Sequence, residues 1–143
     1  MTQFLSVEDW VAAVLAFIDE LTVDDLVALR LDAAQRALLA PAAAVGGVDL
    51  FPDIHEKAAA LLSEMLHQEP IGEEHLRAVA SWSAMVFLAD NGHYWDPSPT
   101  ELPYWIAEAH QGRLSVRTLA TAIRNECTTV AEDGMATDCR PSP

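Results

Sequence analysis

The apolar run at residues 73–91 constrains the fold most, because apolar side chains occupy most faces of the helix that it predicts. Acidic residues begin this run, and Asn91-Gly92 is a natural left-handed end signal. Such a helix must be buried on most sides, so we expect residues 73–91 to form the central helix of the fold. Its large apolar side chains are expected to be inaccessible: Val79, Trp82, Val86 and Phe87.

Helical signals also dominate the rest of the chain, and strand signals are almost absent. In addition to 73–91, five helices are predicted. The first begins near residue 7, and the others cover about 22–40, 54–67, 98–111 and 115–125. Their predicted N-cap signals are Ser6, Thr22 with Asp25, Ser98 with Pro99 and Glu101, and Ser115. Residues 41–53 read as a Pro/Gly-punctuated linker. The sequence therefore predicts an all-α fold of about six helices packed around a central apolar helix, with one domain at residues 1–127 and a flexible C-terminal tail at 128–143.

The charge balance limits the classes of partner. Twenty-two acidic residues against eight basic ones give a formal net charge of −14. Nucleic acids and anionic membrane surfaces require clustered Lys and Arg, so we expect neither as a partner. The sequence has no apolar stretch long enough to span a membrane and no signal-peptide pattern, which favours the cytoplasm. A basic protein segment is compatible with this charge, although solubility alone also explains it. The oligomeric state is left open.

Three segments together resemble the Fic/Doc family. They are GGVDLFPDIHEKAAALLSEMLHQEP, AMVFLADNGHYWD and PTELPYWIAEAHQGRLSVRTLATAIRN. The first is similar to the family's loop and Ala/Leu-rich helix, the second to its central helix, and the third to the last two helices of Doc-like toxins. Their order and spacing carry the resemblance, which covers roughly residues 21 to 126. It implies a Fic/Doc-like helical fold.

The family's signature motif corresponds to EPIGEEHLR, at residues 69–77, and is largely rewritten. The family's catalytic histidine falls on Glu69, and its asparagine falls on His75. Its small residue falls on Glu74. Its metal-binding acid and its arginine fall on Glu73 and Arg77, and these two positions keep the residue types that the family uses.

These replacements argue against ordinary nucleotide transfer. In the family, the histidine is a general base on a target hydroxyl, and the following helix start holds nucleotide phosphates. A glutamate at position 69 would need its pKa raised by roughly two units to act as a base near neutral pH. Glu73 and Glu74 at the helix start suit the helix dipole but repel phosphates.

A repurposed site is one interpretation of this segment. His75 is then the acid or base, Arg77 grips a carboxylate, and Glu69 or Glu73 orients the histidine. A solvated acidic turn that only caps the helix explains the same residues. A metal site that uses His67, Glu73 and His75 matches no established spacing, so we expect no metal and no cofactor.

Other histidines and aromatic residues have structural explanations as well. His55 and His110 are expected to be surface residues on helix faces, and His93 is ambiguous. The run Tyr94-Trp95-Asp96 is interpreted as a structural turn or as a wall of a ligand pocket.

Three functional classes remain open. The favoured one is a repurposed enzyme or ligand-binding protein for a small molecule, because ionisable groups replace the motif. The second is a non-catalytic interaction protein of a toxin–antitoxin type pair, with a basic segment as its partner. The third is a Doc-like nucleotidyl or phosphoryl transferase toxin.

Overall fold

The chain folds mostly into α-helices. A computed structural model describes residues 2–18, 22–27, 29–130 and 136–138. The helices in this part are α1 Val7–Phe17, α2 Val23–Val27, α3 Leu31–Leu39, α4 Ile54–Gln68, α5 Glu73–Asp90, α6 Leu102–His110 and α7 Val116–Asn125. The all-α prediction is therefore confirmed. No helix within the described ranges has the length and apolar character needed to cross a membrane.

Three of the predicted helix starts are capped as the sequence indicates. Ser6 begins α1, and its side chain accepts a hydrogen bond from the N–H of Asp9. Thr22 and Asp25 cap each other reciprocally before α2, at 3.0 and 3.1 Å. The hydroxyl of Ser115 accepts from the N–H of the third residue after it at the start of α7. Local hydrogen-bonding chemistry therefore decides these boundaries.

The predicted second helix is two helices. Arg30 separates α2 from α3, with an extended backbone at φ −103° and ψ 91°. Its N–H donates to the carbonyl of Pro70 at 2.8 Å. A helical Arg30 would direct that N–H to the residue four positions earlier, so the long-range bond ends the helical path. The expectation of one continuous helix is wrong for this reason.

The predicted capping box at Ser98 and Glu101 is also wrong. Helix α6 begins later, at Leu102, with Glu101 as its N-cap. The N–H of Ser98 donates to a carboxylate oxygen of Glu126 at 2.7 Å, and the Ser98 hydroxyl bonds that of Thr100 at 3.0 Å. These tertiary and local bonds occupy the groups that the capping box requires.

Short strands form in three segments that were expected to lack secondary structure. β1 (Ala44–Val45) and β2 (Val48–Asp49) form a hairpin within the predicted linker. Its turn is Gly46-Gly47, with φ of 59° and 80°, which a two-residue hairpin favours. β3 (His93–Trp95), β4 (Cys127–Val130) and β5 (Ala136–Asp138) form an antiparallel sheet in that order. The flexible tail predicted from residue 128 is thus strand at 128–130 and 136–138. Residues 131–135 and 139–143 lie outside the described part.

The central helix is α4, so the expectation that residues 73–91 occupy this place is wrong. α4 contacts α3, α5, α6 and α7. Small side chains at 58–60 allow close approach on several sides, and four of its large apolar side chains are buried: Leu61, Leu62, Met65 and Leu66. On α5, Val79 and Phe87 are buried as predicted, whereas Trp82 and Val86 are half-buried. One face of α5 therefore borders a surface cavity.

Candidate functional site

The C-terminal end of α4 has an unusual backbone. Glu69 adopts a left-handed conformation (φ 51°, ψ 58°), and among the described residues it is the one non-glycine with positive φ. A residue with a side chain in the left-handed region of φ and ψ raises the free energy of the folded state by about 1 kcal/mol. Gly72 then caps α5, and Arg30 fixes the turn through its bonds to the carbonyls of Gln68 and Pro70. Local strain held by surrounding contacts is typical of functional segments.

Glu69, His110 and Arg77 form a linked series, which we name the α4 C-terminal cluster. A carboxylate oxygen of Glu69 lies 3.9 Å from Nε2 of His110. Nε of Arg77 donates to Nδ1 of the same imidazole at 3.4 Å. Arginine only donates, so Nδ1 is the acceptor in this bond, and the Nε2 edge of the ring faces Glu69. The cluster therefore places an imidazole between a carboxylate and a guanidinium.

A cavity of about 210 Å³ lies beside Arg77. It is formed between α5 and α6, and its lining is Arg77, Ala78, Ser81, Leu102, Pro103 and Ile106. Arg77 is the one charged side chain in this lining, and most of the others are apolar. We name it the Arg77 cavity. Its volume lies below the range of about 300–1,000 Å³ for drug-sized ligands, so it suits a small molecule.

Arg77 has no carboxylate partner in the part of the chain that the structure describes. Its hydrogen bond goes to Nδ1 of His110. By contrast, Arg36, Arg113 and Arg124 each form an ion pair with an acidic side chain. Arg30 and Arg117 also form no ion pair among the described residues, so what distinguishes Arg77 is its place beside a mostly apolar cavity. The N–H donors of the Arg77 guanidinium form a fork beside this cavity. Such a fork suits recognition of a carboxylate.

His75 and Glu73 point to other contacts. Nε2 of His75 lies 3.6 Å from a carboxylate oxygen of Asp25 in α2. Residues two positions apart in a helix are separated by about 200° around its axis. His75 and Arg77 therefore face nearly opposite sides of α5. Glu73 is exposed and borders an open depression of about 330 Å³ that is also lined by Arg30 and Glu69. Of the four candidates, Glu69 and Arg77 are linked through His110, Glu69 and Glu73 share the depression, and His75 is separate.

The imidazole beside Arg77 is thus His110, which the sequence analysis treated as a surface residue. Its side chain is 20% exposed. No local motif marks it, because α6 brings it to the end of α4 only through tertiary packing. The sequence feature that could have drawn attention to His110 is its position in the last turn of a helix, and this is a weak signal.

The start of α5 does not suit phosphate. No side chain caps it, and its first turn carries the exposed carboxylates of Glu73 and Glu74. Both carboxylates lie at the helix start, where backbone N–H groups would otherwise bind an anion. His67 is exposed, and no three His, Cys, Asp or Glu side chains among the described residues are arranged to hold a metal ion.

A second polar cluster lies at the opposite end of α4, and we name it the α4 N-terminal cluster: Asp53, His55, His93 and Arg124. Oδ2 of Asp53 accepts from the N–H of His55 at 3.0 Å, and from Nη2 of Arg124 at 2.6 Å. Nδ1 of His55 lies 3.2 Å from the same oxygen, and the His55 and His93 rings are 5.1 Å apart. His55 is only 5% exposed, so the expectation of a surface histidine was wrong.

Burial sets the protonation of this N-terminal cluster. Burial is the main cause that lowers the pKa of His55, and the charges of His93 and Arg124 lower it further, against the opposing effect of Asp53. Burial also lowers the pKa of His93. The pKa of Asp53 is lowered as well: burial alone would raise it, but its bond to Arg124 and the charges of His55 and Arg124 outweigh that effect. Both imidazoles are therefore neutral at neutral pH.

Comparison with known proteins gives no family. No protein-family model matches the sequence, and no curated protein matches it significantly. The residues and their geometry are therefore the basis for a functional proposal.

Proposed function

We propose that this protein binds a small organic carboxylate in the Arg77 cavity, as a repurposed relative of the Fic/Doc proteins that its sequence resembles. The observation that carries the proposal is the guanidinium of Arg77, which has no acidic partner among the described residues and borders an apolar cavity of about 210 Å³. A carboxylate would pair with the guanidinium, and the apolar body of the ligand would contact Ala78, Leu102 and Ile106.

The neighbouring imidazole gives the site a group that can transfer protons. His110 has its Nδ1 beside Arg77 and its Nε2 facing Glu69. A carboxylate that orients an imidazole is the usual arrangement for general acid–base chemistry near neutral pH. A bound carboxylate would compete with Nδ1 of His110 for the Arg77 donors, which frees that nitrogen to accept a proton. Binding is the core of the proposal, and this chemistry would act on the molecule that is bound.

Nucleotide transfer is the less favoured function. The first turn of α5 carries two exposed carboxylates where a phosphate would bind. We therefore expect no measurable binding of ATP with magnesium at millimolar concentration. A dissociation constant of about 100 μM or tighter would favour a Doc-like transferase instead.

A protein-interaction function is the second candidate, and exposed apolar side chains in the N-terminal half favour it. Val23 and Val27 of α2 are 75% and 80% exposed, and Leu31 and Leu39 of α3 are also exposed. A basic amphipathic helix would complement both these side chains and the net charge of −14. Tight binding of a synthetic peptide of this kind, weakened by Val27→Glu, would support this candidate.

The test of the proposed function is a titration followed by NMR. Benzoate and hexanoate are compared with benzamide and hexanamide, which have similar shapes but no charge. We expect the carboxylates to bind with dissociation constants of about 0.1–1 mM, typical of ligands with few atoms, and to shift amides around residues 77–81 and 102–110. Benzamide and hexanamide should bind at least tenfold more weakly than the two carboxylates.

Arg77→Gln should abolish carboxylate binding, because it removes the charge and keeps a polar side chain. Arg36→Gln is the matched control, since Arg36 is exposed on α3 and contacts Asp32 and Gln68 outside the cavity. Two results would contradict the proposal. One is equal affinity for the carboxylates and for benzamide and hexanamide, and the other is carboxylate binding that persists in Arg77→Gln.

A further inference from the structure

A second cavity lies nearer the C-terminal end of α5 and differs in lining from the Arg77 cavity. Its volume is about 260 Å³. It is lined by Trp82, Met85, Val86 and Ala89 of α5, and by Tyr94 and Trp95 of β3. Three of these six side chains are aromatic and none is charged. We name it the aromatic cavity.

The surrounding contacts hold its rings in place. Phe17 stacks on Trp82, with ring centroids 4.8 Å apart and planes 23° apart. Trp95 is buried, and its indole N–H donates to a carboxylate oxygen of Glu126 at 3.4 Å. Tyr94 is 60% exposed on β3 and forms the outer wall. The cavity is therefore bounded by two anchored indoles and one accessible phenol ring.

The electrostatic surroundings of the aromatic cavity are negative. Asp90 follows the lining residue Ala89, and Asp96 follows Trp95; both are exposed. The last turn of α5 contains no basic residue, and the helix dipole adds partial negative charge there. The carboxylate of Glu126, which accepts from the Trp95 indole N–H, adds a further negative charge at this edge of the cavity. Within the described residues, neither Lys nor Arg lines this cavity.

We propose that the aromatic cavity binds a small organic cation with a quaternary ammonium group. Such a cation gains from the electron-rich faces of Trp and Tyr rings, and its methyl groups suit the Val86 and Met85 surface. A quaternary ammonium group donates no hydrogen bonds, so it needs no acceptor from this mostly apolar lining. An anion is disfavoured by the nearby carboxylates, and a neutral molecule of the same shape lacks the cation–π attraction.

The probe is choline, and its uncharged isostere 3,3-dimethyl-1-butanol is the comparison. Tryptophan fluorescence and NMR both report on Trp82 and Trp95. We expect choline to bind at least tenfold more tightly than the alcohol, and bound benzoate to leave the choline affinity unchanged because the two cavities have different linings. Equal affinity for choline and the alcohol would show an unspecific apolar cavity and overturn the proposal.

Tyr94→Ala should weaken choline binding at least fivefold, and Tyr94→Phe should restore it, because the ring and not the hydroxyl acts on the cation. Tyr104→Ala is the matched control, since Tyr104 is 59% exposed on α6 and contacts Trp105 instead of this cavity. Unchanged choline binding in Tyr94→Ala would overturn the proposal.

A charge variant provides an independent test that does not alter β3. Asp90→Asn should weaken choline binding two- to threefold at low salt and leave the binding of the alcohol unchanged. A parallel loss for both ligands would indicate damage to the cavity itself and would contradict the electrostatic part of the proposal.

Discussion

The two ends of α4 carry the same kinds of residue in opposite settings. The N-terminal cluster joins Asp53, His55 and Arg124 in short contacts around one carboxylate oxygen, with His55 almost fully buried. The C-terminal cluster joins Glu69, His110 and Arg77 through longer contacts of 3.9 and 3.4 Å beside a cavity. Residue type alone therefore does not separate a structural cluster from the cluster beside the proposed binding site.

Backbone geometry shows the same division. Asp53 caps the start of α4 with an extended conformation and bonds to two helix N–H groups. Glu69 ends the helix in a left-handed conformation that glycine would adopt at lower cost. One end of α4 is built for stability, and the other retains strain next to accessible polar groups. We infer that stability and ligand binding are divided between the two ends of one helix.

The largest expected effect is at the stable end. Asp53→Ala removes an N-cap, at about 1 kcal/mol, and takes an acceptor from His55 and Arg124, at about 1–3 kcal/mol more. We expect a total loss of about 2–4 kcal/mol, measured by urea unfolding. Asp32→Ala is the control, because Asp32 is exposed and its ion pair with Arg36, at 3.7 Å, is worth about 0.5 kcal/mol or less. Equal losses in the two variants would remove the distinction between the ends of α4.

The second effect is a pH dependence that originates in the N-terminal cluster. His55 and His93 have pKa values lowered on folding, mainly by burial, while Asp53 opposes and Arg124 adds to the shift at His55. The unfolded chain then binds more protons than the folded one below the ordinary histidine pKa of about 6.5. Stability is therefore complete above that pH and falls as the pH drops from about 7 to 5.

Unfolding free energies at several pH values measure this slope. His93→Gln should make it shallower by the contribution of one histidine. His67→Gln, which replaces an exposed histidine of α4, is the matched comparison. A parent protein whose stability rises on acidification to pH 5 would contradict the buried, neutral state of the pair.

The smallest expected effect is at the strained end. Glu69→Gly relieves a left-handed side chain but adds freedom to the unfolded chain, so we expect a gain of at most about 1 kcal/mol. His67→Gly, two residues earlier in the helical part of α4, should instead cost about 1 kcal/mol. A loss at Glu69 that equals the loss at His67 would show that the conformation of Glu69 carries no strain.

The sequence predicted those parts of the fold that depend on neighbouring residues. The caps at Ser6, Thr22 and Ser115 and the bounds of α4 follow from local hydrogen bonding and periodicity. The break at Arg30 and the late start of α6 depend on Pro70 and Glu126, which are distant in the chain. Long-range bonds of this kind leave no periodic signal.

The candidate site was predictable only in part, for the same reason. Glu69 and Arg77 were found because the motif-like segment contains them both. His110 was missed because α6 supplies it, and His75 was given a role that its contact with Asp25 does not support. The central place of α4 was also missed, since hydropathy ranked the more apolar α5 above a helix whose small alanines permit contacts on several sides.

The most direct test of the account compares Arg77→Gln with Arg124→Gln in thermal unfolding and benzoate binding. We predict that Arg77→Gln keeps the melting temperature within about 2 °C of the parent and loses benzoate binding. Arg124→Gln, which removes the ion pair with Asp53, should lower the melting temperature by about 5 °C or more and still bind benzoate at a temperature where it is folded. If Arg77→Gln is instead the more destabilised variant, or keeps full benzoate binding, the division between the two ends of α4 is wrong.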